Sequence, residues 1–306
     1  MNQLIIEAIK NPRKALFVLK FRVDTHIGKL LFKNTAGFLN NIRGIRTKNK
    51  FKKSQLKFKI SNKFSEELKL NGHVLLGQIC NDSLIEKLSN ELNKIVEDET
   101  LSSVRSQHNG KVYSRSVHEL ILKIPDVKKL MSEKIIDLFQ QYYGSYFQIL
   151  DVQGFRNYHI PDEINKKHHL YSDEWHCDGH DITFTKLFVY LTDVSEDDGP
   201  FFTHSIQSTK ELIKKGFGSR TNYKLSKEII EDPKYATKYT GSKGTSLAGN
   251  LNVCFHRATV PIQGHYRDLM QFFIAPSTTP LPTNWPQELE KKYKNNDSEH
   301  DDLTIT

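Results

Sequence analysis

The stretch DEWHCDGHD, residues 173–181, sets two histidines and four carboxylates in nine positions, and a strand-like apolar run, FTKLFVYLTDV, begins at Phe184. Imidazoles and carboxylates on a segment entering an interior cost free energy unless something pairs them. In extended backbone the side chains alternate faces, so His176, Asp178 and His180 share one face and Cys177 points away. His-x-Asp thereby brings an imidazole and a carboxylate to one point. A metal would satisfy both, and it needs a third ligand from far along the chain. An antiparallel double sheet returns its chain past the same interior. NVCFHRATV supplies the ligand as a strand carrying His256, 78 residues after Asp178, with Cys254 on the same face. Two histidines and a carboxylate form the facial set that suits non-haem iron(II) with open positions, and zinc accepts the same donors. Arg267 follows His256 by 11 residues, at the start of RDLMQFFIAP. A strand there pairs back on the His256 strand, and its arginine is suited to meet a carboxylate as a bidentate partner.

The surrounding pattern agrees with such a fold. Residues 84–96 carry Leu84, Ile85, Leu88, Leu92, Ile95 and Val96 at helical spacing behind Asp82 as N-cap. A second helical stripe is expected over 126–143, ended by Gly144, and FSEELKLNGHVLLGQI reads as helix, Asn71-Gly72 turn and strand. From Tyr146 the chain breaks into short β-rich runs punctuated by Gly, Asn, Asp and Pro. Helices first and many strands later predict an α+β, mainly β architecture. The expected form is a double-stranded β-helix of jelly-roll or cupin-like type flanked by helices.

Charge divides the chain. Residues 1–60 hold 15 Lys/Arg against only Glu7 and Asp24, a net of +13, so the remaining 246 residues hold 29 against 34, a net of −5. The expected organisation is a basic N-terminal arm over 1–60 and a catalytic body over 61–286 interrupted by an insertion near 211–239. A polar tail over 287–306 ends the chain. The arm reads as short amphipathic helices broken near Pro12 and Gly28, followed by a linker over 43–59. Such an arm serves either as a solubilising extension or as a contact to an anionic membrane surface. No nucleic-acid motif accompanies it, which leaves nucleic acid the weaker reading. Three widely spaced cysteines suggest no disulfide framework, and Glu7 and Lys10 interrupt any signal-peptide core. A cytoplasmic protein, peripheral at the membrane, is therefore expected.

Four segments in order resemble the phytanoyl-CoA dioxygenase family of iron(II)- and 2-oxoglutarate-dependent oxygenases, over about residues 64–277. LKLNGHVLLGQICNDSLIEKLSNEL resembles the family's opening strand and helix. EWHCDGH resembles its tryptophan and His-x-Asp segment. LTDVSEDDGPFFTHSIQSTK resembles its Gly-Pro strand and following turn, and CFHRATVPIQGHYRDLMQFF its distal histidine and arginine. The resemblance implies iron held by His176, Asp178 and His256, with Arg267 on 2-oxoglutarate and dioxygen as the other substrate. It also implies hydroxylation, because halogenating relatives carry a small residue in place of Asp178. Two positions depart from the pattern: Thr209 stands where the family has histidine, and Leu269 where it often has a hydroxyl residue. Arg156, in the strand before the metal motif, and Tyr190 are further expected cofactor contacts, and Phe188 a pocket wall. The substrate expected is a small or lipid-like molecule of anionic character. A metal-dependent cupin-like hydrolase or isomerase, or a binding protein without turnover, are the alternatives.

Overall fold

Lys186, Phe188 and Tyr190 alternate with Thr185, Leu187 and Val189, and nearly all six are buried. A strand with both faces covered needs a packed layer on each side. The computed structural model, which describes residues 12–51, 56, 58, 61–168, 173–218 and 227–295, supplies both layers. In chain order the elements begin with α1 (Pro12–Phe32), α2 (Phe38–Phe51), α3 (Lys63–Asn71), β1 (His73–Gln78), α4 (Asp82–Val96), β2 (Ser103–His108) and β3 (Lys111–Val117). They continue with α5 (Leu120–Lys123), α6 (Glu133–Tyr143), β4 (Tyr146–Tyr158), α7 (Asp162–His168), β5 (Thr185–Tyr190), β6 (Phe201–His204) and α8 (Ile206–Lys214). The last are α9 (Lys227–Glu231), β7 (Ala236–Tyr239), β8 (Thr245–Gly249), β9 (His256–Ala258), β10 (Tyr266–Ser277) and α10 (Trp285–Asn295).

Among the described residues the strands form two sheets, one of seven strands in the order β1-β8-β5-β10-β4-β3-β2 and one of three in the order β7-β6-β9. All pairings are antiparallel. The large sheet buries Val74, Val152, Leu187, Val189, Met270 and Phe272 against the helical layer, where Ile85, Leu88, Leu92 and Val96 of α4 form one continuous stripe. Its other face meets the small sheet through Phe188, Tyr190, Phe201, Tyr239, Leu247 and Leu251. The outer face of the small sheet is closed by α8, with Trp175, Cys177, Leu212 and Phe255 in contact. This is the double-stranded β-helix flanked by helices that the pattern predicts.

Local differences have local causes. Asn81, not Asp82, caps α4, its side chain accepting from the Leu84 N–H at 2.9 Å. The helix expected over 126–143 is a 3-10 segment, Pro125–Leu130, and then α6, because the chain turns at Met131 and restarts at an extended Ser132 cap. The β2–β3 hairpin escaped the pattern. Its strands are mostly polar, but Asn109 and Gly110, with φ of 49° and 76°, make the left-handed pair that a two-residue hairpin turn requires. The insertion expected over 211–239 ends earlier, since Ala236–Tyr239 is a paired strand of the small sheet; residues 219–226 lie outside the described residues. So do 1–11 of the arm and 296–306 of the tail.

The arm differs most. Gly28 does not break α1: a Cβ there would stand 2.8 Å from the Gly37 backbone, so glycine is what lets the helix close on its own return. The expected linker is helical as far as Phe51. No helix of the described residues is long and apolar enough to cross a membrane.

Leu88→Ala removes a fully buried side chain from the α4 stripe and is expected to cost about 2–5 kcal/mol in urea unfolding. A second expectation concerns acid. Burial lowers both His73 and His204 to about 4 from 6.5. Below pH 6.5 the unfolded chain takes up protons that the folded chain refuses until about pH 4, so stability is lost as pH falls through that window. The loss is at most about 3 kcal/mol for each histidine. Replacing both with asparagine should flatten the slope of unfolding free energy between pH 6.5 and 4.

Candidate metal centre

His176 and His256 meet as a directly opposed antiparallel pair. The His176 N–H donates to the His256 carbonyl at 3.1 Å and the His256 N–H returns to the His176 carbonyl at 2.9 Å. Directly opposed residues of such a pair project to the same face, and the two rings lie 4.3 Å apart between centroids. Asp178, two residues on, repeats that face, and its N–H is held by the Leu251 carbonyl at 2.9 Å. Trp175, Cys177 and Phe255, the residues in between, pack into the outer cluster under α8. Alternation thus separates three polar inner residues from three apolar outer ones.

Donor atoms of His176, Asp178 and His256 all lie within 4.8 Å of one another. His256 Nε2 is 3.5 Å from Asp178 Oδ1 and His176 Nε2 is 3.9 Å from it. The other nitrogen of each ring faces a backbone carbonyl: His176 Nδ1 that of Glu174 at 2.7 Å, His256 Nδ1 that of Cys254 at 3.2 Å. A carbonyl only accepts, so each Nδ1 carries the proton and each Nε2 presents a lone pair inward, as a metal ligand must. The donor set fits a divalent transition metal.

Asp178 is the costly member. Burial would raise its carboxyl, but the Lys186 cation beside it holds it well below the usual carboxylate range. Lys186 Nζ stands 2.8 Å from Asp178 Oδ2, as an ion pair without hydrogen-bond alignment, and also lies over the Phe273 ring. The sequence reading grouped Lys186 with the alternating wall residues; a cation on the inner face of a strand beside a proposed ligand carboxylate was the available signal. His180, half-buried beside Phe184 and Phe273, is lowered by burial and then by Lys186.

The remaining expected residues divide by strand parity. Arg267 is 2% exposed and stands opposite Asn157 of β4. Its strand pairs with β4 and β5 of the large sheet; the expected pairing with the His256 strand is not made, because that strand pairs with β6 of the small sheet. Leu269, two residues on, belongs to the cluster between the sheets, which sets Arg267 on the inner face of β10 with it. Tyr190 is on the inner face too, but its hydroxyl donates to the Tyr239 carbonyl at 3.0 Å and so ties the large sheet to the small one. Phe188 packs on Phe201 in the same interior. Arg156 requires a correction. A Cβ on Gly154 would touch Leu92 and Leu120 of the helical layer, so Arg156 takes that outer face as well. There its guanidinium bonds Asp268 (2.7 Å), Glu97 (2.8 Å) and Asn93 (2.8 Å), and it does not join the metal cluster. Cys254 turns to the Asn71 carbonyl at 3.6 Å and serves packing. At the departure from the family pattern, Thr209 is fully buried and its hydroxyl accepts the Phe255 N–H at 2.9 Å, anchoring the backbone one residue before His256. A surface hollow of about 590 Å³, lined by Phe58, Asn62, Phe64 and Gln141 among others, contains none of the triad.

Lys186→Met leaves the Asp178 carboxylate buried without its counter-charge. The variant should bind cobalt(II) about 10–100-fold more weakly in a calorimetric titration, with unchanged far-ultraviolet circular dichroism.

No family model matches the chain, and no curated protein matches its sequence. Its fold does have solved counterparts. It is similar to SnoN, the non-heme alpha ketoglutarate dependent epimerase from nogalamycin biosynthesis, with a TM-score of 0.52 and 14% identity, covering 70% of this chain and 82% of that one. It is similar also to AviO1 from Streptomyces viridochromogenes Tue57, with a TM-score of 0.50 and 14% identity, covering 71% of this chain and 95% of that one. At these identities the likeness is one of fold, and it is the fold that non-haem, ketoglutarate-dependent SnoN also uses.

Proposed function

We propose that this chain is an iron(II)- and 2-oxoglutarate-dependent dioxygenase of the phytanoyl-CoA dioxygenase type, hydroxylating a small-molecule or lipid-like substrate of anionic character. The observation that carries the reading is the convergence of His176, Asp178 and His256, each from a distinct backbone position, on the inner face of a double-stranded β-helix. The fold shared with SnoN, a non-heme alpha ketoglutarate dependent enzyme, supports it.

In this reading His176 Nε2, His256 Nε2 and an Asp178 oxygen would hold the iron, and Arg267 the far carboxylate of 2-oxoglutarate. When bound, that pair supplies oxidative chemistry in which dioxygen is spent on decarboxylating the keto acid to succinate and on oxidising a substrate C–H bond. The chain's own contribution is orientation and exclusion of water. The Glu174 and Cys254 carbonyls keep both imidazoles in one tautomer. Lys186 keeps Asp178 ionised in a buried setting. Phe188, Phe201 and Leu269 surround the interior with apolar surface, which strengthens the grip of Arg267 on a carboxylate. The carboxylate of Asp178 fills the place that halogenating relatives leave open, which favours hydroxylation.

The test is anaerobic addition of iron(II) and 2-oxoglutarate. A weak visible charge-transfer band is expected, lost in His176→Ala. In Arg267→Ala iron affinity should be retained while the KM for 2-oxoglutarate rises on the order of 100-fold. Absence of the band in the wild-type chain, or zinc-dependent hydrolysis without succinate, would overturn the reading in favour of a hydrolase on the same donors.

A further inference from the structure

The hairpin of α1 and α2 is a built element. Asp24 Oδ1 accepts the Leu39 N–H at 2.9 Å at the start of α2, and Asn34 and Asn41 exchange side-chain hydrogen bonds of 2.8 and 2.9 Å inside the turn. Its inner side rests on the metal loop. Asn40 Nδ2 donates to the Gly179 carbonyl, Thr47 Oγ1 to Asp181 Oδ2 at 3.2 Å, and a Cβ on Gly44 would collide with Ile182. Those contacts begin one residue after Asp178.

The outer side has a different character. Leu19, Val23, Ile27, Leu30 and Leu31 are between 37% and 63% exposed. At about 3.6 residues per turn they fall within an arc of about 120° on α1. Gly28, which meets the return of the hairpin, lies about 120° around the helix from the middle of the stripe, and Asp24, which caps α2, lies beside Leu31 at the edge of the stripe. Among the described residues the exposed charges of the hairpin are cationic: Lys20, which falls within that arc, and Arg22 on α1, and Arg43, Arg46, Lys48 and Lys50 on α2. The acidic residue of the hairpin, Asp24, is engaged in the cap.

From this we propose that the α1–α2 hairpin docks the protein on an anionic lipid bilayer, α1 lying in the interface with its apolar stripe in the acyl boundary and the cations among the headgroups. Charge complementarity selects the occupant. A second copy would bring like charges together around the stripe, whereas acidic lipid neutralises them. Nucleic acid would match the cations but leave the five apolar residues in water. An interfacial helix needs both features. The docking is independent of the oxygenase reading. Its consequence, that the substrate is taken from the membrane surface, rests on that reading.

The experiment is co-sedimentation of the full chain with vesicles of phosphatidylcholine alone, or with phosphatidylglycerol as a third of the lipid, at low and high salt. Binding to the anionic vesicles is expected to exceed that to the neutral ones by at least ~10-fold and to weaken with salt. The variant Leu19→Gln/Ile27→Gln/Leu31→Gln alters exposed residues only. It should lose vesicle binding ~10-fold while its thermal melt and cobalt(II) affinity stay those of the wild type. Equal binding by the variant, or no binding to anionic vesicles, overturns the proposal. So does concentration-dependent dimerisation that the variant abolishes without any vesicle binding, which would assign the stripe to a second copy. Vesicle binding without succinate formation would leave the docking standing and remove only the oxygenase reading.

Discussion

Two backbone hydrogen bonds between His176 and His256 govern the site. They fix the register in which the His-x-Asp segment meets β9, and in an antiparallel sheet register decides face. A slip of one residue would send Cys177 and Phe255 inward and both imidazoles into the apolar cluster beneath α8. That cluster is what forbids the slip. Trp175, Cys177 and Phe255 bury against Leu212, Ile213 and Phe217, so the energy that holds the polar face inward comes largely from the apolar face turned outward. Thr209 adds a polar pin by accepting the Phe255 N–H.

The same large sheet manages buried charge twice, with opposite outcomes. On its inner face Lys186 meets Asp178 with few other hydrogen-bond partners, leaving the carboxylate and two imidazoles turned toward a common point. On its outer face Arg156 is surrounded by Asp268, Glu97 and Asn93, and its donors are taken up within the protein. A saturated arginine is a structural element that joins β4, β10 and α4. A buried carboxylate with one counter-ion keeps capacity for something further. Composition alone does not separate these cases; the partners do.

Much of the architecture was legible because it follows from alternation. The inner and outer sets of 175–178, the apolar stripe of α4 and the turn at Asn71-Gly72 are short-range consequences of residue type. The distant partners His256 and Arg267 were named from residue type and spacing, and the family resemblance added their roles. The β2–β3 hairpin was missed because its strands, SVRSQH and KVYSRSV, carry little apolar alternation, and only the Asn-Gly turn marked it. Arg156 was misassigned because parity says that residues two apart share a face without saying which face. Leu92 and Leu120, far away in the chain, occupy the side that Gly154 and Arg156 turn to. The arm was read as short amphipathic helices and a linker, without a contact to the body, because local apolar clusters do not say what they pack on. Its order comes from contacts with residues 179–182, more than 130 positions later.

The amino-acid sequence by itself determined the donor types, their two-residue spacing, the helical stripes and the separation of a basic N-terminal segment from a mildly acidic body, since each is local or compositional. Only the tertiary structure decided that the two histidines oppose one another, that Lys186 is the counter-ion of Asp178, that Arg267 faces in while Arg156 faces out, and that the basic hairpin lies on the loop that follows Asp178. These are matters of register and of which layer covers which face, and they are set by packing between segments that the chain order leaves far apart.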